Sequence, residues 1–348
     1  MANNPDNSPT GVLLLGSIPL SSTDEVFNKI PAALPNRLLT IPDGETGSRL
    51  NWIGWQIAFF PKEALRPTLG GTELPADHSG TFTQDSIEPS QYDDRALESY
   101  KRFVELREQG IIPKNVRFQV SLPSPYACVQ GHTKPELHAQ LEPLYERRIL
   151  DSLSTIVQSI PSHDLAIQWD LCFETTALEY DRGRLKDEFF MAHFKPVKEG
   201  FFERIQRICA GIPSEIPVGF HLCYGDLGHK HFIEPEDLSL LVDFANGIIE
   251  QVSEKRTVAW FHVPVPKERD DAAYFEPLND LKASEGTRLY LGVVHAYDED
   301  GTRRRIKTAQ SVVQRSFGVA TECGLGRTPP EELDSILQIL RDVSAPVL

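Results

Sequence analysis

The sequence has no basic surplus: 35 Lys and Arg stand against 50 Asp and Glu, a formal net charge of −15. That balance repels nucleic-acid phosphates and anionic membrane surfaces, so neither is an expected partner. No apolar run approaches the roughly 20 residues that a membrane-spanning helix needs. The opening MANNPDNSPT is polar, lacks the basic and apolar regions of a secretory signal, and reads as a flexible tail over residues 1–10. Cysteine is scarce and odd in number. The five (Cys128, Cys172, Cys209, Cys223 and Cys323) are widely spread, which fits reduced thiols in a cytoplasmic protein better than a disulfide framework. A glycine-rich phosphate fingerprint after a strand is also missing, which counts against a doubly wound nucleotide-binding sheet. Low-complexity tracts are absent, and 40% hydrophobic with 24% charged residues is the balance of a chain able to bury a sizeable core.

What is present is alternation. Eight short runs read as strands: GVLLLGSIPL (11–20), RLLTIPDGE (37–45), NVRFQVSLP (115–123), LAIQWDLCFE (165–174), PVGFHLCYGD (217–226), TVAWFHVPVP (257–266), RLYLGVVHAY (288–297) and FGVATECGLG (317–326). Between them lie segments with helical spacing, such as EPEDLSLLVDFANGIIEQV and PPEELDSILQILRDV, each opening with proline and acidic residues as a first turn prefers. Strand and helix repeated eight times predict an α/β fold, a closed (β/α)8 barrel of the TIM type, over residues 11–348. The main irregularity is a stretch at about 62–114, rich in Pro, Gly, Asp and Ser, which reads as a long loop insertion of the kind that forms lids or binding loops.

In such barrels chemistry gathers at the C-terminal strand ends. Those ends carry Ser17; Asp43 and Glu45; Ser121; Asp170 and Glu174; His221 and Cys223; His262; His295 and Tyr297; and Glu322 with Cys323. Alternation along a strand puts His221 and Cys223 on one face. The barrel would bring Cys323 to the same mouth, and thiolate with imidazole favours zinc over the oxygen-seeking cations. His262 reads as a fourth, displaceable ligand or as a group orienting the others. The bland alternatives stay open: a single His-x-Cys in a strand is commonly incidental, because buried cysteine behaves as a small hydrophobe. Cys128, Cys172 and Cys209 read that way, the GHKHF run as surface, and the acidic strand ends as caps or rim ion pairs.

Taken together, GFHLCYGD, GVVHAYDED and ATECGLGR resemble the catalytic barrel of cobalamin-independent methionine synthases. LLGSIPL, DGETGSR and IQWD are similar to further stretches of that family, so the resemblance runs from about residue 11 to 345. It implies that His221, Cys223 and Cys323 bind zinc and that Ser17, Glu45 and Asp170 match the positions that hold the carboxylate and amino group of homocysteine; Asp43 and Ser121, at neighbouring strand ends, read as substrate-binding beside them. It also implies a reduced folate as methyl donor. The chain departs from the pattern in three places. His262 stands at or near the family's glutamate ligand, His295-Ala296-Tyr297 replaces an Asp-x-His proton donor, and SLPSPYA replaces the tryptophan-bearing stretch that would lie against a pterin. No aromatic wall for folate is therefore expected, and His295 or Tyr297 is left as the acid.

Three functions follow as expectations. The first is a zinc-dependent transferase moving a methyl or other alkyl group to a thiol. The second is a zinc-dependent lyase or hydrolase on a small specialised metabolite, with His295 or Tyr297 as general acid or base. The third is a non-catalytic binding module. Each has a small molecule as partner; the sequence leaves the oligomeric state open.

Overall fold

Seven of the eight expected strands form, and they lie in one parallel sheet in chain order. They are β1 (Thr40–Pro42), β2 (Arg117–Pro123), β3 (Leu165–Leu171), β4 (Val218–Leu222), β5 (Trp260–Pro264), β6 (Arg288–Val294) and β7 (Gly318–Thr321). This computed structural model describes residues 8–75, 80–228 and 230–347, so most of the expected tail and His229 of the GHKHF run lie outside the described residues. Parallel neighbours require a crossover, and a helix supplies each one, from Tyr92–Glu108 between β1 and β2 to Glu299–Val312 between β6 and β7. Among the described residues no helix is long and apolar enough to cross a membrane.

The expected first strand, 11–20, is a correction. This segment sits in the seam between β7 and the chain entering β1, but only through isolated parallel bridges of Val12 to Val319 and Leu38, with Ser17 bridging Gly44 farther along. Gly11 and Gly16 take φ of 84° and 139°, and Pro19 has no N–H to donate, so a regular ladder cannot run through the segment. The fold is α/β and barrel-like, with a seven-stranded sheet rather than a regular eight.

Side-chain alternation layers the interior. Leu13, Leu15, Ala166, Trp260, Tyr290 and Ala320 form an apolar plug. Two residues further along the strands comes a buried amide layer: Gln119 donates to Leu14 O at 2.9 Å, Gln168 to Leu15 O at 2.7 Å, and Thr40 Oγ1 to Gln119 Oε1 at 2.6 Å. One step beyond, parallel register aligns Asp170 with His221 and His221 with His262 across β3, β4 and β5. On the outer face Phe118, Ile167, Trp169, Phe220, Phe261 and Val293 are buried against the helices. Each such side chain contributes about 2–3 kcal/mol of burial.

The 62–114 stretch is not structureless. It holds short 3-10 turns at Pro67–Leu69 and Gln84–Ser86 before the helix Tyr92–Glu108. It lies along the helix His138–Ser159, through Phe82 N to Gln140 Oε1 at 2.7 Å, Arg148 Nε to Ile87 O at 2.8 Å and Ser90 Oγ to Ser152 Oγ at 2.8 Å. The wall over the strand ends comes mostly from the 3-10 segment Gly47–Phe59, with Leu69 of the 62–114 stretch beside it.

Candidate metal centre and its two chambers

Cys223 follows β4 directly and Cys323 lies two residues past β7, so the sheet delivers both thiols to the mouth that His221 faces. The ligand atoms of His221, Cys223 and Cys323 all lie within 4.8 Å of one another. Cys223 Sγ is 3.6 Å from Cys323 Sγ, and Cys323 Sγ is 3.7 Å from His221 Nε2. A tetrahedral zinc, with bonds of about 2.3 Å to sulfur and about 2.0 Å to nitrogen, needs separations of about 3.8 Å and about 3.6 Å respectively. The donor set fits that ion in type and in spacing, with three donors and a fourth position open to a ligand.

The histidine pair fixes how His221 presents itself. His262 Nε2 lies 3.0 Å from Thr321 O, an acceptor only, so Nε2 carries the proton and donates. His262 Nδ1 then has a lone pair and accepts from His221 Nδ1 at 2.8 Å. His221 is thereby held in the tautomer whose Nε2 lone pair points at the cysteines. Burial, with His221 alongside, holds the His262 imidazole well below its usual range, which keeps His262 neutral. A Cβ on Gly292 would stand 2.8 Å from Thr321 O and 3.0 Å from His262 Nε2, so only glycine admits the contact there. Of the two roles the sequence left to His262, its hydrogen bonds fit the orienting one; both ring nitrogens are used, and the ring stands outside the three-ligand cluster.

Two chambers meet at Cys323, Gly324, Gly225 and Asp226. The larger, about 570 Å³, is bordered by the three candidate ligands and by Ser17, Glu45 and Asp170. Burial pushes the Asp170 carboxyl up to about 7, against hydrogen bonds from Gln168 and Trp52 that pull it down. Burial also raises Glu45 well above its usual range, and Asp170 adds to the rise. Two carboxyls raised in this way make a place for a cation. The same chamber is bordered by an aromatic wall of Trp52, Phe173, Phe189, Phe190 and Phe232, with Trp52 stacked on Phe173 at 6.2 Å. That wall corrects the expectation that none exists: it is built from the Gly47–Phe59 segment and from residues after β3 and β4, not from the SLPSPYA stretch. Trp52 (φ 44°) and Glu45 (φ 46°) both hold left-handed backbone that non-glycine residues rarely adopt, a strain that gathers at ligand sites. Cys172, read from the sequence as a plain hydrophobe, borders this chamber and hydrogen-bonds with Cys223.

The second chamber, about 520 Å³, lies on the other side of Cys323. His295 borders it with Nε2 donating to Val265 O at 3.0 Å and Nδ1 at 3.8 Å from Glu322 Oε2; His231 Nε2 approaches Glu322 Oε1 at 3.3 Å. Burial, with Arg305 near, lowers His295 to about 4, and burial beside Glu234 and Asp226 lifts Glu322 to about 8. Neither Glu322 nor His231 was singled out as a site residue from the sequence, although Glu322 stands at an expected strand end.

Four expected site residues are not brought to either large chamber: His262, which stands behind His221, and Tyr297, Asp43 and Ser121. Tyr297 is 70% exposed, because β6 ends at Val294 and the chain turns; its hydroxyl donates to Glu331 O at 3.0 Å, away from the candidate metal centre. Asp43 is taken up by Arg49 (Nη2 to Oδ2, 2.7 Å), Ser99 Oγ at 2.7 Å and Glu45 N at 2.9 Å, and so holds the loop rather than a ligand. Ser121 Oγ donates to Leu15 O at 3.2 Å within the amide layer. Asp43 and Ser121 border only a void of about 20 Å³.

The fold and the cluster at its strand ends define a barrel-like α/β chain with a candidate thiolate-imidazole metal centre. No protein-family model and no curated protein sequence matches the chain. Solved structures do. A methyltransferase from Methanosarcina mazei matches at TM-score 0.54 and 12% identity over 96% of this chain and 94% of that one. A Listeria monocytogenes protein described as a vitamin-B12-independent methionine synthase matches at 0.51 and 13% over 97% and 99%. A B12-independent methionine synthase from Shewanella sp. W3-18-1 gives 0.49 and 12% over 96% of each chain. At these identities the likeness is one of fold: the chain shares, over nearly its whole length, the architecture of methionine-synthase-like and methyltransferase structures.

Proposed function

We propose that the chain is a zinc-dependent transferase that moves a methyl or other alkyl group to a thiol. The observation that carries the reading is the His221, Cys223 and Cys323 cluster, spaced for a tetrahedral ion and open to a chamber that Glu45 and Asp170 also border. Zinc bound there supplies Lewis acidity that keeps a substrate thiol in its nucleophilic thiolate form near neutral pH. The chain's own residues do the rest. Cys223, Cys323 and His221 Nε2 would hold the ion, and His262 fixes the tautomer of His221. Glu45 and Asp170 receive the ammonium of a homocysteine-like substrate, which restores their ionisation, and Ser17 faces its carboxylate. The substrate sulfur then forms a bond to the alkyl carbon as that carbon's bond to its leaving group breaks, and the thiol proton goes to solvent.

A second reading, a zinc-dependent lyase or hydrolase, draws support from the second chamber, which Cys323 also borders: there a neutral His295 can act as base and a protonated Glu322 as acid. One experiment separates the two. Elemental analysis of purified wild type and Cys323→Ser is expected to give one zinc per chain, lost in the variant, and homocysteine should then change the absorption of the cobalt-substituted protein. Metal present but blind to thiols would favour the lyase or hydrolase; no metal would remove both readings and leave a binding module.

A further inference from the structure

We infer that the thiol taken by this site carries an aromatic or comparably flat apolar group, seated in the larger chamber. The inference rests on the thiol-transfer reading above and names the substrate class. Ser17, Glu45 and Asp170 stand together at the end beside the candidate ligands, while Asn51, His132, Asp187, Asp226 and Arg327 also border the chamber. An amino-acid thiol would fill that end alone, whereas about 570 Å³ suits a ligand of drug size. Much of the remaining wall is made of rings in mutual contact: Phe190 lies 5.1 Å from Phe232 and 4.9 Å from Phe189, and Phe173 lies 5.7 Å from Phe232. Rings arranged this way receive another ring by offset or edge contact. At the rim, Leu227 is 71% exposed, an apolar side chain left in water beside an apolar entrance.

Charge argues in the same direction. Among the described residues that border the chamber there is no lysine, and its one arginine, Arg327, is paired with Asp226 at 3.1 Å. A folate's glutamate tail would find no free cation there. Trp52 ties the two ends together, since its indole hydrogen-bonds Asp170 while its ring stacks on Phe173. A ring held by the wall therefore places its attached thiol toward Asp170 and the candidate ligands.

The test titrates benzyl mercaptan and homocysteine separately into the full-length cobalt-loaded protein, reading thiolate-to-cobalt absorption, with tryptophan fluorescence of the zinc-loaded protein as the second readout. Benzyl mercaptan is expected to bind roughly thirty-fold more tightly, the value of burying one ring. Phe190→Ala should reduce that preference roughly tenfold; if this variant does not fold, Phe232→Leu should reduce it a few-fold. Homocysteine binding as tightly as benzyl mercaptan would overturn the inference and leave the thiol reading standing. A reduced folate that displaces benzyl mercaptan would overturn it too. If neither thiol alters the cobalt spectrum, the thiol reading itself fails, and this inference with it.

Discussion

Replacing Asp170 by asparagine should make the protein more stable and less able to bind an amine-bearing thiol. The folded carboxyl titrates near 7 because burial penalises its charged form, whereas an unfolded aspartate titrates near 3.9. Between those values the native state keeps a proton that the unfolded chain has lost. Stability is therefore full below about pH 4 and falls as pH rises, by about 1.4 kcal/mol per unit, until the native carboxyl ionises near pH 7. The wild type loses about 2 kcal/mol between pH 5 and pH 7 from this group, and about 4 kcal/mol in all. The amide oxygen of the Asp170→Asn variant would still accept the hydrogen bond that Gln168 Nε2 gives Asp170 Oδ1 at 2.9 Å, and an amide has no charge to desolvate. Urea unfolding at pH 5, 6, 7 and 8, at fixed zinc, should show the stability difference between variant and wild type widening by about 2 kcal/mol up to pH 7 and then levelling off. A difference that stays flat with pH would refute the reasoning, since it would mean that Asp170 is ionised throughout.

The remaining expectations concern three residues that the sequence places at the site. His262→Phe puts a somewhat larger ring in the same place and removes both hydrogen bonds, so zinc should still bind but about 10- to 100-fold more weakly in chelator competition; loss of all zinc would instead make His262 a ligand. Tyr297→Phe removes only an exposed hydroxyl bonded to Glu331 O, and both turnover and stability should stay within about 0.5 kcal/mol of wild type. Asp43→Asn leaves the Arg49 guanidinium, largely buried, without its partner and should cost about 3–5 kcal/mol in denaturant unfolding with zinc content unchanged. A fall in thiol affinity without that loss of stability would return Asp43 to the substrate side.

Which features were legible in the sequence follows from how local their causes are. His221 and Cys223 could be paired by strand alternation alone, and the eight-run rhythm shows which segments cross the sheet. Where the chain leaves regular structure the same rule misleads: alternation carried from β6 to Tyr297 fails because the strand stops at Val294 and Tyr297 turns at φ 55°. The segment 11–20 has strand composition, yet its glycines and proline break the ladder. Asp43 and Glu45 look equivalent in DGETGSR; what separates them is Arg49 and Ser99, and the Ser99 contact comes from a helix 56 residues away. Trp52 carries no periodic signal at all, since it stands at a kink in a 3-10 segment, and its place in the wall is set by packing on Phe173.

This division has a functional consequence. Asp170, His221 and His262 sit on adjacent strands held by register, and shifting any of them would break a ladder. Trp52 lies in the Gly47–Phe59 segment, Phe189 and Phe190 follow Asp187 in a short 3-10 turn, and Phe232 lies in the irregular chain between β4 and the helix Ser239–Val252. Such segments tolerate substitution and repositioning far better than strands do. His221 and the His262 that orients it are thus built on the ladder, with both cysteines just past strand ends, while most of the ligand-facing wall stands on irregular chain. A change of substrate would require altering only the wall, and that is where this chain departs most from what its strand-end motifs lead one to expect.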